Sequence, residues 1–202
     1  MFLVSVRKYK KPLLVYVFSV VSIFVFLLLL PKYVITYVAV LFLSVPYLFG
    51  KGLNLKLKPA SILFSIVVTA VIIGIYLLLF YLITKRAVNI EVLSLNLVVT
   101  HLIVIAFPEE AFFRGYLQKE LGNNIRSIFI VSVLFALGHF LTICLAQGSI
   151  GLHCVTALLT FFPSLIMGYL FYKSNSIWGS AIFHFLANLA FISTSGFSIF
   201  YQ

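Results

Sequence analysis

A chain of 202 residues that is 63% hydrophobic and only 9% charged is not an ordinary water-soluble domain, in which about a quarter of residues carry charge. Its mean hydropathy of +1.21 and its long, unbroken apolar runs identify an all-α, polytopic membrane protein, because barrel strands would read as short alternating segments. The net charge of +10 sits in short loops between apolar runs, so it serves topology and not nucleic-acid binding.

The chain opens with Arg7, Lys8, Lys10 and Lys11 ahead of an apolar run, like the basic region of a signal peptide. No small-residue cleavage site follows within Leu13 to Leu30, so the first span is expected to be retained. Segments of roughly 17 to 25 apolar residues cross a bilayer. On that length the predicted helices cover 13–30, 33–49, 60–83, 92–119, 127–146, 152–172 and 177–197, a bundle of seven. Turn formers or charges separate them at Pro31-Lys32, Gly50 to Pro59, Thr84 to Asn89, Gly122-Asn123-Asn124, Gln147 to Gly151 and Lys173 to Ser176. Pro108 leaves the fourth helix open to a kink or a break, with 108–121 then a separate segment.

With the N-terminus cytoplasmic, the inner loops carry Arg7, Lys8, Lys10, Lys11, Lys51, Lys56, Lys58, Lys119, Arg126 and Lys173, against Lys32, Lys85 and Arg86 outside. Ten against three satisfies the positive-inside rule. Cys144 and Cys154 flank a short polar turn and read as two buried, unpaired thiols, or as a disulfide if that turn faces an oxidising compartment.

The chemistry concentrates in Pro108-Glu109-Glu110-Ala111-Phe112-Phe113-Arg114-Gly115. The chain has no Asp, and its carboxylates are Glu91, Glu109, Glu110 and Glu120, so half of its acid stands side by side in an apolar segment. Ionisable groups at bilayer depth are costly and mark functional sites. Glu110 and Arg114 are four apart, which places them on one helical face as an ion pair that would also serve as scaffold. Glu109 points about 100° away and has no such local partner.

Two histidines join it. His139 lies within the fifth helix, and His184 lies on the seventh with Asn188 one turn later on the same face. At ~1.5 Å per residue from the inner helix ends, Glu109, His139 and His184 fall at depths of roughly 15, 20 and 12 Å, one shared layer. His101 and His153 read as helix-packing or interface residues. A glutamate and a histidine in a dry cavity can deprotonate water, while His184 and Asn188 can donate to the oxygen that turns negative when a carbonyl is attacked, so the implied reaction is amide hydrolysis. Zinc held by one Glu and two His is the rival, although no His-Glu-x-x-His is present. A proton-coupled carrier would also keep Glu, Arg and His inside the membrane, but the paired internal repeats of carriers are not found. A non-catalytic peptide binder is the third class, and it would need no base opposite an oxyanion site.

Three motifs in order resemble a known family, the CAAX protease and bacteriocin-processing proteins (CPBP, or Abi), related to the type II CAAX prenyl endopeptidase. Glu109 to Arg114 matches Glu-Glu-x-x-x-Arg, Phe135 to His139 matches Phe-x-x-x-His, and His184 to Asn188 matches His-x-x-x-Asn. The resemblance covers roughly 92–195. It implies a glutamate-dependent intramembrane endopeptidase without a cofactor, in which Glu109 and His139 activate water and His184 and Asn188 form the oxyanion site. Glu110 and Arg114 would hold the first motif in place, with Phe135 in support. On this reading 92–197 form the catalytic core and 1–91 carry N-terminal helices outside it. The expected partners are the lipid bilayer and a membrane-associated peptide or protein tail. The small size and the lack of a targeting extension point to a bacterial cytoplasmic membrane, with peptide or sorting-tail processing ranked ahead of bacteriocin self-immunity.

Overall fold

A bilayer offers backbone N–H and C=O groups no partner, so each long apolar run satisfies its own as a helix. The computed structural model describes residues 2–144 and 151–195, with side chains from residue 9 onward. It contains α1 (Phe2–Leu29), α2 (Pro31–Leu48), α3 (Pro59–Thr84), α4 (Leu95–Gln118), α5 (Ile125–Cys144), α6 (Leu152–Ser174) and α7 (Ile177–Ser195). All seven are long and apolar enough to cross a membrane, and no strand occurs among the described residues. The expected all-α bundle of seven is therefore the observed architecture. The break at Gln147 to Gly151 lies, up to residue 150, outside the described residues, as do the last two residues of the expected segments 127–146 and 177–197 and the side chains of Arg7 and Lys8.

Turn chemistry ends the helices where the sequence places it. Lys85 and Asn175 adopt the left-handed conformation that closes α3 and α6, each N–H reaching back to the carbonyl of Tyr81 or Phe171. Ser94 caps α4 by accepting the N–H of Leu97, and Asn124 with Ser127 forms a reciprocal capping box at the start of α5.

The helix α4 stands at the centre, touched by α1, α2, α5, α6 and α7, and is buried without interruption from Pro108 to Gln118. Phe112 stacks on Phe42 of α2 at 4.4 Å, and Phe113 meets Tyr16 of α1 and Phe135 of α5 edge-on at 6.4 and 4.8 Å. By contrast α3 packs against α7 and α6 and leaves Leu63, Val67, Val71 and Ile83 exposed, as a lipid-facing helix must.

Pro108 neither breaks α4 nor splits off 108–121. Between Leu95–Thr100 and Phe107–Glu110 the helix widens to π-helical turns over His101–Ala106, and it does so again over Ala111–Gln118. The N–H of Phe107 bonds to the carbonyl of Leu102, five residues back. A proline costs a helix its N–H and crowds the preceding turn, and a wider turn ahead of it relieves that crowding.

One end of the bundle is crossed by the extended connection between α2 and α3. Lys11 and Lys119 donate to the carbonyls of Phe49 and Gly52 at 2.8 and 3.4 Å, and Lys58 donates to Ser174 at 3.1 Å. Asn54 donates to the carbonyl of Asn175 at 2.6 Å, and Trp178 to that of Leu55 at 3.0 Å. Leu53 lies directly on Gly115, where any Cβ would collide with it, so the connection presses close against α4. The basic connections thus meet at this end. The α3–α4 connection, with Lys85 and Arg86, is tied to the other end through the N–H of Asn89 and the carbonyl of Ser193 at 2.9 Å.

At that second end Cys144 and Cys154 form a disulfide, which corrects the expectation of unpaired thiols. The reason is the reversal between α5 and α6: it brings the last residue of one helix and the third of the next to a Cα separation of 4.7 Å, within bridging range. Cys144→Ser is expected to cost about 2–3 kcal/mol for a loop of this length. A lowered thermal midpoint in detergent checks it, provided that dithiothreitol lowers the midpoint of the wild type and leaves the variant unchanged.

Candidate active site

The residues singled out on three helices converge. Glu109 and Glu110 sit on the α-helical turn between the two π segments of α4, so consecutive side chains leave the helix in different directions. Glu110 turns into the protein and is fully buried. Its Oε1 meets Arg114 Nη1 at 3.2 Å and His184 Nδ1 at 3.0 Å. Arg114, also fully buried, donates from Nη2 to both the carbonyl and the hydroxyl of Ser164 on α6 at 3.0 and 2.8 Å. An Arg–Glu pair in a dry interior needs further partners, and Ser164 and His184 provide some of them, while Glu110 Oε2 and Arg114 Nε make no hydrogen bond.

Glu109 turns toward a cavity instead. Its Oε2 is buried, has no hydrogen-bond partner, and lies 3.7 Å from Nε2 of His184 and 3.9 Å from Nε2 of His139. Those separations are too long for direct hydrogen bonds. His139 Nδ1 bonds to its own helix at the carbonyl of Phe135, 3.0 Å away. A carbonyl only accepts, so Nδ1 carries the hydrogen and a neutral His139 presents a bare Nε2 to Glu109.

Phe135 explains the four-residue spacing to His139. Its ring lies 4.3 Å from the His139 ring, 5.8 Å from that of His184, and 5.1 Å from the guanidinium carbon of Arg114. It packs against both imidazoles and against the guanidinium. Asn188, one turn beyond His184, is half-buried and lines the same cavity as Glu109, His139 and His184.

The structure thus brings together Glu109, Glu110, Arg114, Phe135, His139 and His184, with Asn188 on the cavity wall. His101 is buried, with Nδ1 3.0 Å from the carbonyl of Leu97, and lies within electrostatic reach of Glu109 and His184. His153 lies beside the disulfide at the far end of α6. Ser164 is the component that sequence reading missed, since nothing in Phe161 to Ser164 marks a serine fifty residues from its arginine.

For zinc, one ion with bonds of about 2.0–2.2 Å needs all its donor atoms close together. Among the described residues the group with donor atoms within 4.8 Å of one another is Cys144, His153 and Cys154, whose sulfurs are joined to each other. Glu109, His139 and His184 are not such a group in this arrangement.

Residues 91–190 match the family model of the type II CAAX prenyl endopeptidase Rce1-like proteins, a stretch that runs from just before α4 to late in α7 and contains every residue of the site. No match to a curated protein or to a solved structure is significant. Through residues 91–190, with their two adjacent glutamates, arginine and paired histidines on three helices, this chain belongs to the Rce1-like CAAX endopeptidase family.

Proposed function

We propose that this chain is an intramembrane endopeptidase that cleaves a membrane-associated peptide or protein tail with a water activated by Glu109 and His139. The observation that carries this reading is the buried, unpartnered Oε2 of Glu109 between two imidazoles in a largely apolar cavity. A water there gives its hydrogens to Glu109 Oε2 and His139 Nε2, leaving its lone pair free to attack a carbonyl carbon. The negative oxygen that forms accepts from His184 Nε2–H and from the Asn188 amide. Glu109 passes the proton it has taken to the departing amine, and the C–N bond breaks.

Charge supports the division of roles. Arg114 pairs with Glu110 and not with Glu109, and His184 stands between the two carboxylates, its Nδ1 3.0 Å from Glu110 Oε1 and its Nε2 3.7 Å from Glu109 Oε2. Glu110 and Arg114 then act through His184 as positioning residues. The catalytic unit spans 92–197, and helices from 1–91 shape access to it. Crowding of the basic connections at one end supports an orientation with the N-terminus on the cytoplasmic side.

The test compares peptide ends in membranes and medium, by mass spectrometry, from cells carrying the wild type or Glu109→Gln. A terminus present only with the wild type identifies both the activity and its substrate. Identical termini at equal protein level would replace this reading with a carrier or a self-immunity binder. Cleavage is expected to survive chelation; loss on chelation with recovery on adding zinc would reinstate the metal.

A further inference from the structure

His153 and the cysteine pair take no part in the reaction proposed above. Cys144 ends α5 and Cys154 is the third residue of α6; both are buried, and His153, beside Cys154 in the chain, is half-buried. Each of the three offers one ligand atom, and these atoms lie within 4.8 Å of one another. The ring of His153 folds back over Gly151, where a Cβ would come to 3.0 Å from Cε1 and 3.1 Å from Nδ1, so the missing side chain gives the imidazole its place.

While bridged, the two sulfurs cannot serve as thiolates. Reduction changes the donor set. A dithiol reductant gives the bridge two electrons and two protons, leaving two thiols, and is itself oxidised to a disulfide. A divalent zinc ion then displaces both thiol protons and takes two thiolates at about 2.3 Å and the imidazole at about 2.0–2.1 Å. Tetrahedral bonds of that length set the sulfurs about 3.8 Å apart and each about 3.6 Å from the nitrogen. Side chains on Cα atoms 4.7 Å apart span that distance by rotation, and the imidazole already stands within range. Two thiolates and a neutral imidazole leave the ion without net charge, which suits two buried cysteines. Soft sulfur ligands also select against magnesium and calcium, which take oxygen.

We infer that Cys144, His153 and Cys154 form a redox-gated site for a thiophilic divalent cation, bridged when oxidised and metal-bound when reduced. In both conditions the end of α5 stays clamped to the start of α6. Two cavities, of about 330 and 450 Å³, share Glu109 and His139 on their walls; Ile143, next to Cys144, lines both, and Thr156, two residues after Cys154, lines the larger. The clamp therefore keeps two walls of the reaction cavity together, whether or not the chain is a peptidase.

The experiment adds zinc chloride to the full-length protein in detergent, once in the bridged form and once after reduction by a phosphine, which does not compete as a dithiol would. Bound metal is counted by elemental mass spectrometry after gel filtration, and the thermal midpoint is read on the same samples. One zinc per reduced chain and none per bridged chain are expected, with a midpoint that falls on reduction and recovers on adding zinc. Cobalt in place of zinc should show the absorption of thiolate-to-metal charge transfer. Cys144→Ser and His153→Ala should each weaken zinc binding by at least about 100-fold, and Glu109→Gln should leave it unchanged. If Cys144→Ser does not fold, the comparison of bridged and reduced wild type decides alone. Equal zinc in the two redox forms, or binding lost in Glu109→Gln and kept in Cys144→Ser, would overturn the site and move the metal to the reaction centre. A reduced chain that binds no zinc would overturn it outright and leave the endopeptidase reading standing.

Discussion

Glu109→Gln is expected to lower cleavage about 10³-fold, within the range that a positioned general base contributes, and to leave thermal unfolding in detergent unchanged or slightly raised. Gln keeps the shape of the side chain and removes the basic oxygen. Glu109 has no arginine or lysine partner, only the two imidazoles beyond hydrogen-bond distance, so little structure depends on its charge. The paired measurements are initial rates on a defined apolar peptide and the thermal midpoint of the same preparation. Retention of more than about a tenth of the rate would remove Glu109 from the role of base. A lower midpoint would show that the carboxylate is needed for packing.

Arg114→Met has the opposite profile. It leaves Glu110 fully buried without its arginine, and removes both hydrogen bonds to Ser164. Breaking one side of a buried pair costs about 3–5 kcal/mol, read as a lower thermal midpoint and a lower yield of folded protein. Replacing both partners, Glu110→Leu with Arg114→Met, should recover most of that loss, because well-packed apolar residues replace buried ion pairs at little cost. Cleavage should not recover with it. His184 would have lost the carboxylate that fixes its Nδ1, so kcat stays low while KM changes little. A stable double variant with wild-type kcat would reduce Glu110 to scaffold.

What could be read without the structure follows from short-range rules. Bilayer thickness and the need to satisfy every backbone group set the seven helices, and the ends expected from Lys173 to Ser176 and Gly122-Asn123-Asn124 are the ends observed. The four-residue spacings of Glu110–Arg114 and Phe135–His139 are contacts along a single helix, so they too were legible, as a salt bridge at 3.2 Å and rings at 4.3 Å. Placing charged side chains in apolar helices is costly enough to mark Glu109 and Glu110 by composition alone.

Contacts between helices followed no such rule, because they depend on how far each helix is rotated and how closely it packs. That Glu110 reaches His184, seventy-four residues away, and that Arg114 reaches Ser164, fifty away, arises from the packing of α4 against α7 and α6. The pairing of Cys144 with Cys154 required the reversal between α5 and α6. Pro108 read as a breaking point because a sequence shows the missing N–H and not the π-helical turn that accommodates it. By itself the sequence determined how many helices there are, where they end apart from the start of α1, which lies at Phe2 with Pro12 inside the helix and not at residue 13, and which polar residues they carry into the membrane, since periodicity and burial cost act over a few residues. Only the tertiary structure decided which carboxylate turns to the cavity and which to the arginine, and that two chambers meet at the first of them, since those depend on distances between side chains far apart in the chain.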